Sequence, residues 1–209
     1  MGKLTYLALG DSLTAGVGDP SGEGFVGLYK ERLHTVLKKE IQVHRKGRSG
    51  ATSLDLYEWI RQEDVHPLIG PARIITISAG GNDLIQAAKR ALWDGDDRHF
   101  TESLAACRRH VGEILAVIRQ AKAGKPPYMI RLIGLYNPFP LLAEGRHWVN
   151  EFNRTLKGFT SKRIRMAEVY EAFLGNEQKL LAFDHVHPNP EGYKVMAEQL
   201  DVLGYSPLA

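Results

Sequence analysis

The 209-residue sequence has little cysteine and no long hydrophobic segment, and these absences restrict its class. Cys107 is the only cysteine, so no disulfide can form within the chain. No apolar stretch approaches the roughly 18–20 residues that a transmembrane helix needs. Lys and Arg exceed Asp and Glu only slightly (27 against 24), and no block of five or six like charges occurs. We therefore expect no integral membrane segment and no nucleic-acid partner.

The N-terminus also lacks a signal-peptide pattern, because the chain enters an apolar segment at residues 4–9 directly. We expect a cytoplasmic protein, or a secreted one if a leader peptide has been removed. The length suits one domain that spans residues 1–209. The sequence gives no indication of the oligomeric state.

Short apolar segments alternate with amphipathic segments along the chain. Strands are predicted around residues 4–9, 41–43, 73–79, 128–133 and 164–169. Helices are predicted over residues 25–37, 54–60, 101–122, 148–156 and 190–203, with Thr101 and Asn189 as N-caps. Residues 13–24, 84–100 and 135–147 are expected to be loops that shape a pocket. This alternation predicts an α/β fold, a three-layer α/β/α domain with a parallel sheet of about five strands.

Polar residues follow the predicted strands or precede the last predicted helix at four places. They occupy residues 10–13 (Gly-Asp-Ser-Leu), 47–51 (Gly-Arg-Ser-Gly-Ala), 80–83 (Gly-Gly-Asn-Asp) and 184–188 (Asp-His-Val-His-Pro). Because ligands bind outside the carboxyl ends of strands in open α/β sheets, we expect these four segments to converge there.

The residue types in these segments suit acyl transfer. Such chemistry needs a serine nucleophile, a base that takes its proton and an acid that orients the base. Ser12, His187 and Asp184 supply these three groups. Acyl transfer also needs hydrogen-bond donors for the developing oxyanion, and the backbone N–H of Gly50 and the side-chain amide of Asn82 are candidates.

Two nearby residues compete for the nucleophile and base roles. Ser49 lies in a segment that approaches the G-x-S-x-G nucleophile elbow, but the final glycine and a strong preceding strand are missing, so Ser49 is predicted to be a loop serine. His185 competes with His187. Asp184 and His187 are three residues apart and can face each other in a turn, so His187 is favoured.

Other polar or aromatic residues are given structural roles. Asp11 is predicted to bond backbone N–H groups and hold its turn rather than act as the catalytic acid. Asp83 is expected to cap the helix that follows it. Cys107 shares a helical face with apolar residues and is predicted to be a core thiol. Trp148 and Phe152, one helical turn apart, are predicted to be core residues.

In order and spacing, the four segments resemble the blocks of the GDSL or SGNH hydrolase family, and the resemblance extends from residue 4 to about residue 200. It implies a flavodoxin-like sheet and a serine esterase, lipase or thioesterase activity. The residue between Gly80 and Asn82 is a glycine, whereas many relatives have a bulkier residue there.

The resemblance also implies roles for particular residues. Ser12 would be the nucleophile and would donate its own N–H to the oxyanion. Gly50 and Asn82 would complete the oxyanion hole, and Asp184 and His187 would complete the triad. No cofactor and no metal would be required.

We therefore expect hydrolysis of carboxylic esters through an acyl-enzyme. Small-molecule esters with short- to medium-chain acyl groups, or lysophospholipid-like esters, are the expected substrates. A carbohydrate acetylesterase or an acyl-thioesterase on the same site remains an alternative. Tyr136, Asn137 and Phe139 follow the fourth predicted strand and are candidates for the substrate pocket.

Two hypotheses from other classes compete with an esterase. A metal-dependent phosphoesterase would use Asp11, Asn82, His185 and His187. However, no early Asp-x-His occurs and no histidine follows Asn82, so there would be too few ligands for two metal ions. An inactive binding module on the same fold is disfavoured because the serine, amide, acid and base are all present.

Overall fold

The computed structural model describes residues 2–140 and 143–209 and contains one parallel sheet in the order β2-β1-β3-β4-β5. The strands are β1 (Lys3–Gly10), β2 (Glu40–Gly47), β3 (Ala72–Ser78), β4 (Met129–Ile133) and β5 (Ile164–Ala167). This is the flavodoxin-like strand order, whose switch point lies between β1 and β3. The predicted α/β class and the five parallel strands are confirmed.

Helices connect the strands. They are α1 (Ser12–Ala15), α2 (Gly24–Leu37), α3 (Ser53–Trp59), α4 (His66–Ile69), α5 (Gly81–Asp94), α6 (Arg98–Ala121), α7 (Ala143–Lys157), α8 (Val169–Phe173), α9 (Glu177–Leu180) and α10 (Pro190–Val202). Within the described parts of the chain, no helix combines the length and the apolar character needed to cross a membrane.

Alternate side chains of the strands fill two hydrophobic clusters, one on each face of the sheet. Leu7 and Leu9 of β1 pack with α3, α6 and α7, whereas Tyr6 and Ala8 pack with α2, α8 and α10. Both faces of the sheet are therefore covered, which gives the three-layer arrangement. Cys107 is buried in the first cluster, and burial raises the pKa of its thiol to about 12, as expected of a core thiol.

The structure corrects the prediction that residues 84–100 form a loop. They contain most of α5 and the start of α6, so Asp97, not Thr101, occupies the N-cap position of α6. The first residues of the segment predicted as a loop at 13–24 form the helical turn α1. Of the loop predicted at 135–147, residues 141 and 142 lie outside the described residues, and its last part belongs to α7.

In the C-terminal part, the start of α10 agrees with the prediction, whereas β5 differs in length. Asn189 caps α10 as predicted, since its Oδ1 accepts the N–H of Gly192 at 3.0 Å and Pro190 takes the first helical position. Strand β5 is shorter than predicted, because the chain leaves the sheet after Ala167 and begins α8 at Val169.

Candidate active site

A hydrogen-bonded turn places Ser12 at the carboxyl end of β1. Asp11 caps α1, because its Oδ1 accepts the N–H of Leu13 at 3.0 Å and the hydroxyl of Ser78 at 2.7 Å. Gly10 is needed here, since a Cβ would lie only 2.1 Å from the Ser78 oxygen. The prediction that Asp11 holds the turn is confirmed. Burial raises the pKa of Asp11, although the hydrogen bonds from Ser78 and Leu13 oppose that rise.

The loop between α9 and α10 brings an imidazole to this serine. His187 Nε2 lies 3.0 Å from Ser12 Oγ, and His187 Nδ1 lies 2.6 Å from Asp184 Oδ2. The other carboxylate oxygen of Asp184 accepts the N–H groups of Val186 and His187 at 3.0 and 2.9 Å. The histidine against Ser12 is therefore His187. His185 occupies a left-handed backbone position with a φ of 57° in the same loop.

The charge of Asp184 fixes the tautomer of His187. Partial burial raises the pKa of Asp184, but the hydrogen bonds from the ring and backbone of His187 and from the Val186 N–H outweigh it and lower the pKa to about 2. Because an ionised carboxylate only accepts, His187 Nδ1 donates to Asp184. The free lone pair on Nε2 then faces the hydroxyl of Ser12, which is the arrangement that a proton acceptor requires.

Gly50 and Asn82 lie on two further segments, which follow β2 and β3. Gly50 is in the loop after β2 with a φ of 80°, and Asn82 is the second residue of α5. Asn82 Nδ2 donates to the carbonyl of Ala51 at 2.9 Å, which leaves its second N–H for another acceptor. Both residues line the same cavity as Ser12.

The turn before α5 depends on Gly80, whose φ is 103°. A Cβ there would lie 3.1 Å from the ring of Phe152 and 3.4 Å from the sulfur of Cys107. The expected capping role of Asp83 is wrong. Its carboxylate accepts the N–H and the hydroxyl of Ser53 instead, because α3 packs close to the start of α5.

A cavity of about 460 Å³ opens beside Ser12 and His187. This volume lies within the range of about 300–1,000 Å³ that small-molecule sites occupy. Most of its lining is apolar, and three helices supply a large part of it. The apolar residues from these helices are Leu84, Ile85, Ala88, Ala91 and Leu92 of α5, Phe100 of α6, and Trp148 and Val149 of α7. Leu13 of α1 and residues of the loops after β4 and before α10 complete the apolar lining.

The residues predicted for a substrate pocket, Tyr136, Asn137 and Phe139, line this cavity. The ring of Tyr136 stacks on Phe173 at 4.5 Å, and its hydroxyl donates to the carbonyl of Val186 at 2.6 Å. Tyr136 thus ties the end of β4 to the loop that contains His187.

One of the two aromatic residues predicted for the core is placed differently. Phe152 is buried in the core as predicted, whereas Trp148 is half-buried, stacks on Phe100 at 4.8 Å and lines the cavity. The prediction of a loop over residues 84–100 leaves out the cavity-lining residues of α5. Their spacing (i, i+1, i+4, i+7, i+8) is that of one helix face, so this signal was present in the sequence.

Within residues 2–140 and 143–209, no three His, Cys, Asp or Glu side chains are grouped so that they could hold a metal ion. His187, which the phosphoesterase hypothesis would use as a ligand, is bonded to Asp184 and faces Ser12. The ligand set that this hypothesis requires is therefore not assembled among the described residues.

Comparisons with known proteins identify the family. The GDSL-like lipase/acylhydrolase family matches residues 8–195. The spore germination lipase LipC of Bacillus licheniformis is 36% identical over 208 residues, which cover 98% of each chain. The crystal structure of the lipase Lip_vut3 from a goat rumen metagenome has a TM-score of 0.95 and 35% identity, and the match covers 99% of this chain and 100% of that one.

A more distant structure shares only the fold. The acetylxylan esterase Axe2 of Geobacillus stearothermophilus has a TM-score of 0.67 and 22% identity over 98% of this chain and 96% of its own. The family match spans most of the chain, and the lipase relatives exceed 30% identity over nearly their whole length. The chain therefore belongs to the GDSL-like lipase/acylhydrolase family and is an ester hydrolase of the lipase/esterase type.

Proposed function

We propose that this enzyme cleaves carboxylic esters with a triad of Ser12, His187 and Asp184. The observation that carries the proposal is the continuous hydrogen-bonded chain from Ser12 Oγ through both ring nitrogens of His187 to Asp184, with distances of 3.0 and 2.6 Å. These distances lie within the range that proton transfer from nucleophile to base requires.

In the first half of the reaction, Ser12 Oγ attacks the ester carbonyl carbon and its proton passes to His187 Nε2. Asp184 stabilises the imidazolium that forms, and its lowered pKa keeps it ionised for this role. The C–O bond to the alcohol then breaks, and His187 gives its proton to the leaving oxygen. The products of this half-reaction are a free alcohol and an acyl group esterified to Ser12.

In the second half, a water molecule gives a proton to His187 Nε2 and attacks the acyl carbonyl. The bond between the acyl carbon and Ser12 Oγ then breaks, and His187 returns the proton to Ser12 Oγ, which releases the acid and restores the enzyme. In both halves, the oxyanion is stabilised by the backbone N–H groups of Ser12 and Gly50 and by the side-chain amide of Asn82. Donors that are fixed before the reaction are effective because they need no reorganisation in the transition state. The mechanism needs no cofactor and no metal.

The cavity favours esters of short- to medium-chain fatty acids or lysophospholipid-like esters. Its apolar walls along α5, α6 and α7 match an acyl chain, and each buried methylene contributes about 0.8 kcal/mol. The two relatives named as lipases also support fatty-acid esters as substrates. An acetyl group would leave most of the 460 Å³ unfilled, so we favour an acyl chain over the acetylated sugars or thioesters that the same triad could attack.

The triad is tested by labelling and by substitution. A fluorophosphonate reagent should modify the wild-type enzyme at Ser12, which peptide mass spectrometry identifies. The Ser12→Ala variant should remain folded, lose the label and lose nearly all hydrolysis of p-nitrophenyl esters. Full activity in this variant, or labelling at Ser49, would refute the assignment.

The substrate class is tested with a panel of p-nitrophenyl esters from acetate to long-chain acids, together with acetylated xylan and a lysophospholipid. We expect kcat/KM to rise from acetate to medium-chain esters as the acyl chain fills the cavity. A maximum at acetate, or higher activity on acetylated xylan than on every fatty-acid ester, would overturn the substrate proposal without affecting the triad.

A further inference from the structure

Three buried polar side chains lie directly behind the proposed oxyanion hole. Ser53 of α3 is fully buried, and Asp83 of α5 and His110 of α6 are nearly so. Ser53 Oγ lies 2.5 Å from Asp83 Oδ1 and 3.0 Å from His110 Nδ1. The backbone N–H of Ser53 also bonds Asp83 Oδ2 at 2.8 Å. Buried polar groups are costly unless they are bonded, so this network specifies one arrangement of three helices.

The directions of these hydrogen bonds follow from the groups involved. A carboxylate only accepts, so the single proton of Ser53 Oγ goes to Asp83, and the same oxygen accepts from His110 Nδ1. His110 Nε2 lies 3.4 Å from Arg109 Nη2, which can only donate. A neutral imidazole with its proton on Nδ1 satisfies all of these contacts. The ring is also stacked parallel to Tyr57 at 6.3 Å.

The same network is connected to two of the proposed oxyanion donors, the backbone N–H of Gly50 and the side-chain amide of Asn82. Asp83 follows Asn82 in sequence, and the Asn82 amide donates to the carbonyl of Ala51. Three hydrogen bonds therefore tie the start of α5 to residues 51–53. Gly50 directly precedes that segment, is exposed, and has no atom within 4 Å of the point where a Cβ would lie. That side of Gly50 is open. The N–H of Ala51 closes the turn around Gly50 by bonding the carbonyl of Arg48 at 3.2 Å, so the position of Gly50 depends on this turn and on the anchoring of residues 51–53.

From this geometry we infer that Ser53, Asp83 and His110 are positioning residues that hold Gly50 and Asn82 at the spacing that the oxyanion requires. The inference rests on the proposed function, because it assigns the network to the oxyanion hole. Oxyanion donors act at about 2.7–3.1 Å, and a misplacement of about 1 Å can cost about 10²-fold in rate. None of the three side chains contacts the substrate in this mechanism; they act through Asn82 and Gly50.

The test is a double-mutant cycle between Ser53→Ala and Asn82→Ala, measured on a soluble p-nitrophenyl ester. Ser53→Ala alone should lower kcat by about ten- to 100-fold with little change in KM. In the Asn82→Ala background the same substitution should lower kcat several-fold less than it does in the wild type, because only its effect through Gly50 remains. Equal losses in the two backgrounds would mean that Ser53 does not act through Asn82, and would overturn the inference.

A second substitution covers the case in which Ser53→Ala fails to fold. His110→Phe keeps the ring stacked on Tyr57 and keeps the Ser53–Asp83 bonds, but removes the donor to Ser53. It should fold and show a smaller loss of kcat, again suppressed in the Asn82→Ala background. An unchanged kcat in His110→Phe would remove His110 from the network.

Thr76→Val is the matched control for the loss of a buried hydroxyl. Thr76 is fully buried in β3 and bonds the hydroxyl of Tyr6 at 2.9 Å, away from the oxyanion donors. It should lower the midpoint of thermal unfolding but not kcat. A loss of kcat in this control comparable to that in Ser53→Ala would show a general effect of core substitution and overturn the positioning role.

The positioning role and the proposed function are tested by different variants. If Ser12→Ala retains full activity, the proposed function fails. If Asn82→Ala alone retains full activity, the oxyanion role of Asn82 fails, and the positioning role fails with it. If Asn82→Ala is strongly impaired and the Ser53 and Asn82 losses are additive, only the positioning role fails.

Discussion

Single protons and lone pairs determine what each residue of the site can do. Asp184 is ionised and accepts the hydrogen bond from His187 Nδ1–H, so Nε2 can only accept, and the Ser12 hydroxyl is the group that faces it. Asn82 has two N–H groups and uses one on the carbonyl of Ala51. The remaining N–H can therefore meet the oxyanion without the loss of an existing bond.

The first residue-scale prediction concerns Asn82. Asn82→Ala should lower kcat by about 10²–10³-fold with little change in KM, because an oxyanion donor acts mainly in the transition state. Steady-state kinetics on a short-chain ester measures both parameters, and circular dichroism establishes that the variant is folded. A loss below about threefold would exclude Asn82 from the mechanism.

The second residue-scale prediction concerns acid stability. The pKa of Asp184 is lowered to about 2 in the folded protein, against about 3.9 in an unfolded chain. Its contribution to the free energy of unfolding is therefore present above about pH 4 and is lost as the pH falls toward 2. The side chain is 47% exposed, so the contribution is expected to be small.

Urea unfolding of the wild type and Asp184→Asn at several pH values measures this contribution. The stability difference between them should be constant above about pH 5 and should shrink between pH 4 and pH 2. A difference that grows as the pH falls would contradict the assigned direction of the pKa shift. At neutral pH the same variant should lose about 10⁴-fold in kcat, because an amide favours the wrong tautomer of His187.

At the scale of elements, α5 contains both the proposed oxyanion donor Asn82 and part of the cavity wall. Asn82 lies in its first turn, and one face of its later turns lines the same cavity. Because both features belong to one helix, the distance from Asn82 to each part of this wall is fixed by the helical rise of 1.5 Å per residue.

The element-scale prediction is that Ala88→Phe shortens the preferred acyl chain. Ala88 lies on the cavity-lining face of α5 about two turns after Asn82, so a phenyl ring there should occupy space that a longer chain would use. Activity on acetate should be retained, whereas kcat/KM for medium-chain esters should fall by about tenfold or more, since each lost methylene contact costs about 0.8 kcal/mol.

Gln86→Phe is the control, because Gln86 is exposed on the same helix and does not line the cavity. It should leave the chain-length profile unchanged. An unchanged profile in Ala88→Phe, or the same shift in both variants, would show that the acyl chain does not run along α5.

The strands and helix α5 differ in how well the sequence pattern predicts them. Strands β1, β3 and β4 are short runs of apolar and β-branched residues that both faces of the sheet bury, and such runs are easily recognised. Helix α5 is preceded by Gly80, begins at Gly81 and is followed by Gly95. Because glycines are typical of loops, these flanking residues favour a loop prediction for the segment. Only the apolar spacing along one face, which the fold uses as a cavity wall, indicates the helix.

At the scale of the whole molecule, the site is assembled from segments that are far apart in sequence. Ser12, Gly50 and Asn82 follow β1, β2 and β3, and His187 precedes α10. The parallel sheet brings them to one edge, so fold class and motif order together were sufficient to predict which residues meet. Distances, the Ser53–Asp83–His110 network and the cavity volume depend on how helices pack on the sheet, and no local pattern contains that information.

The core also contains a charge whose partners lie near the C-terminus. Arg131 of β4 is fully buried, and its guanidinium donates to the carbonyls of Gly204 and Ser206 at 2.7 and 3.5 Å and to its own strand at Ile130. Burial lowers the pKa of Arg131. The segment after α10 therefore supplies acceptors to a buried cation on β4, the strand next to the edge strand β5.

Deletion of residues 204–209 should destabilise the protein by more than about 1–3 kcal/mol, because it leaves the buried guanidinium without two of its acceptors. In an Arg131→Met background the same deletion should cost less, since an apolar side chain of similar length requires no acceptor there. The comparison is a set of four urea unfolding curves, for the wild type, each single change and their combination. Equal costs of deletion in the two backgrounds would mean that the segment stabilises the fold through its other contacts, such as the stacking of Tyr205 on Tyr29 and the packing of Leu208, and not through Arg131.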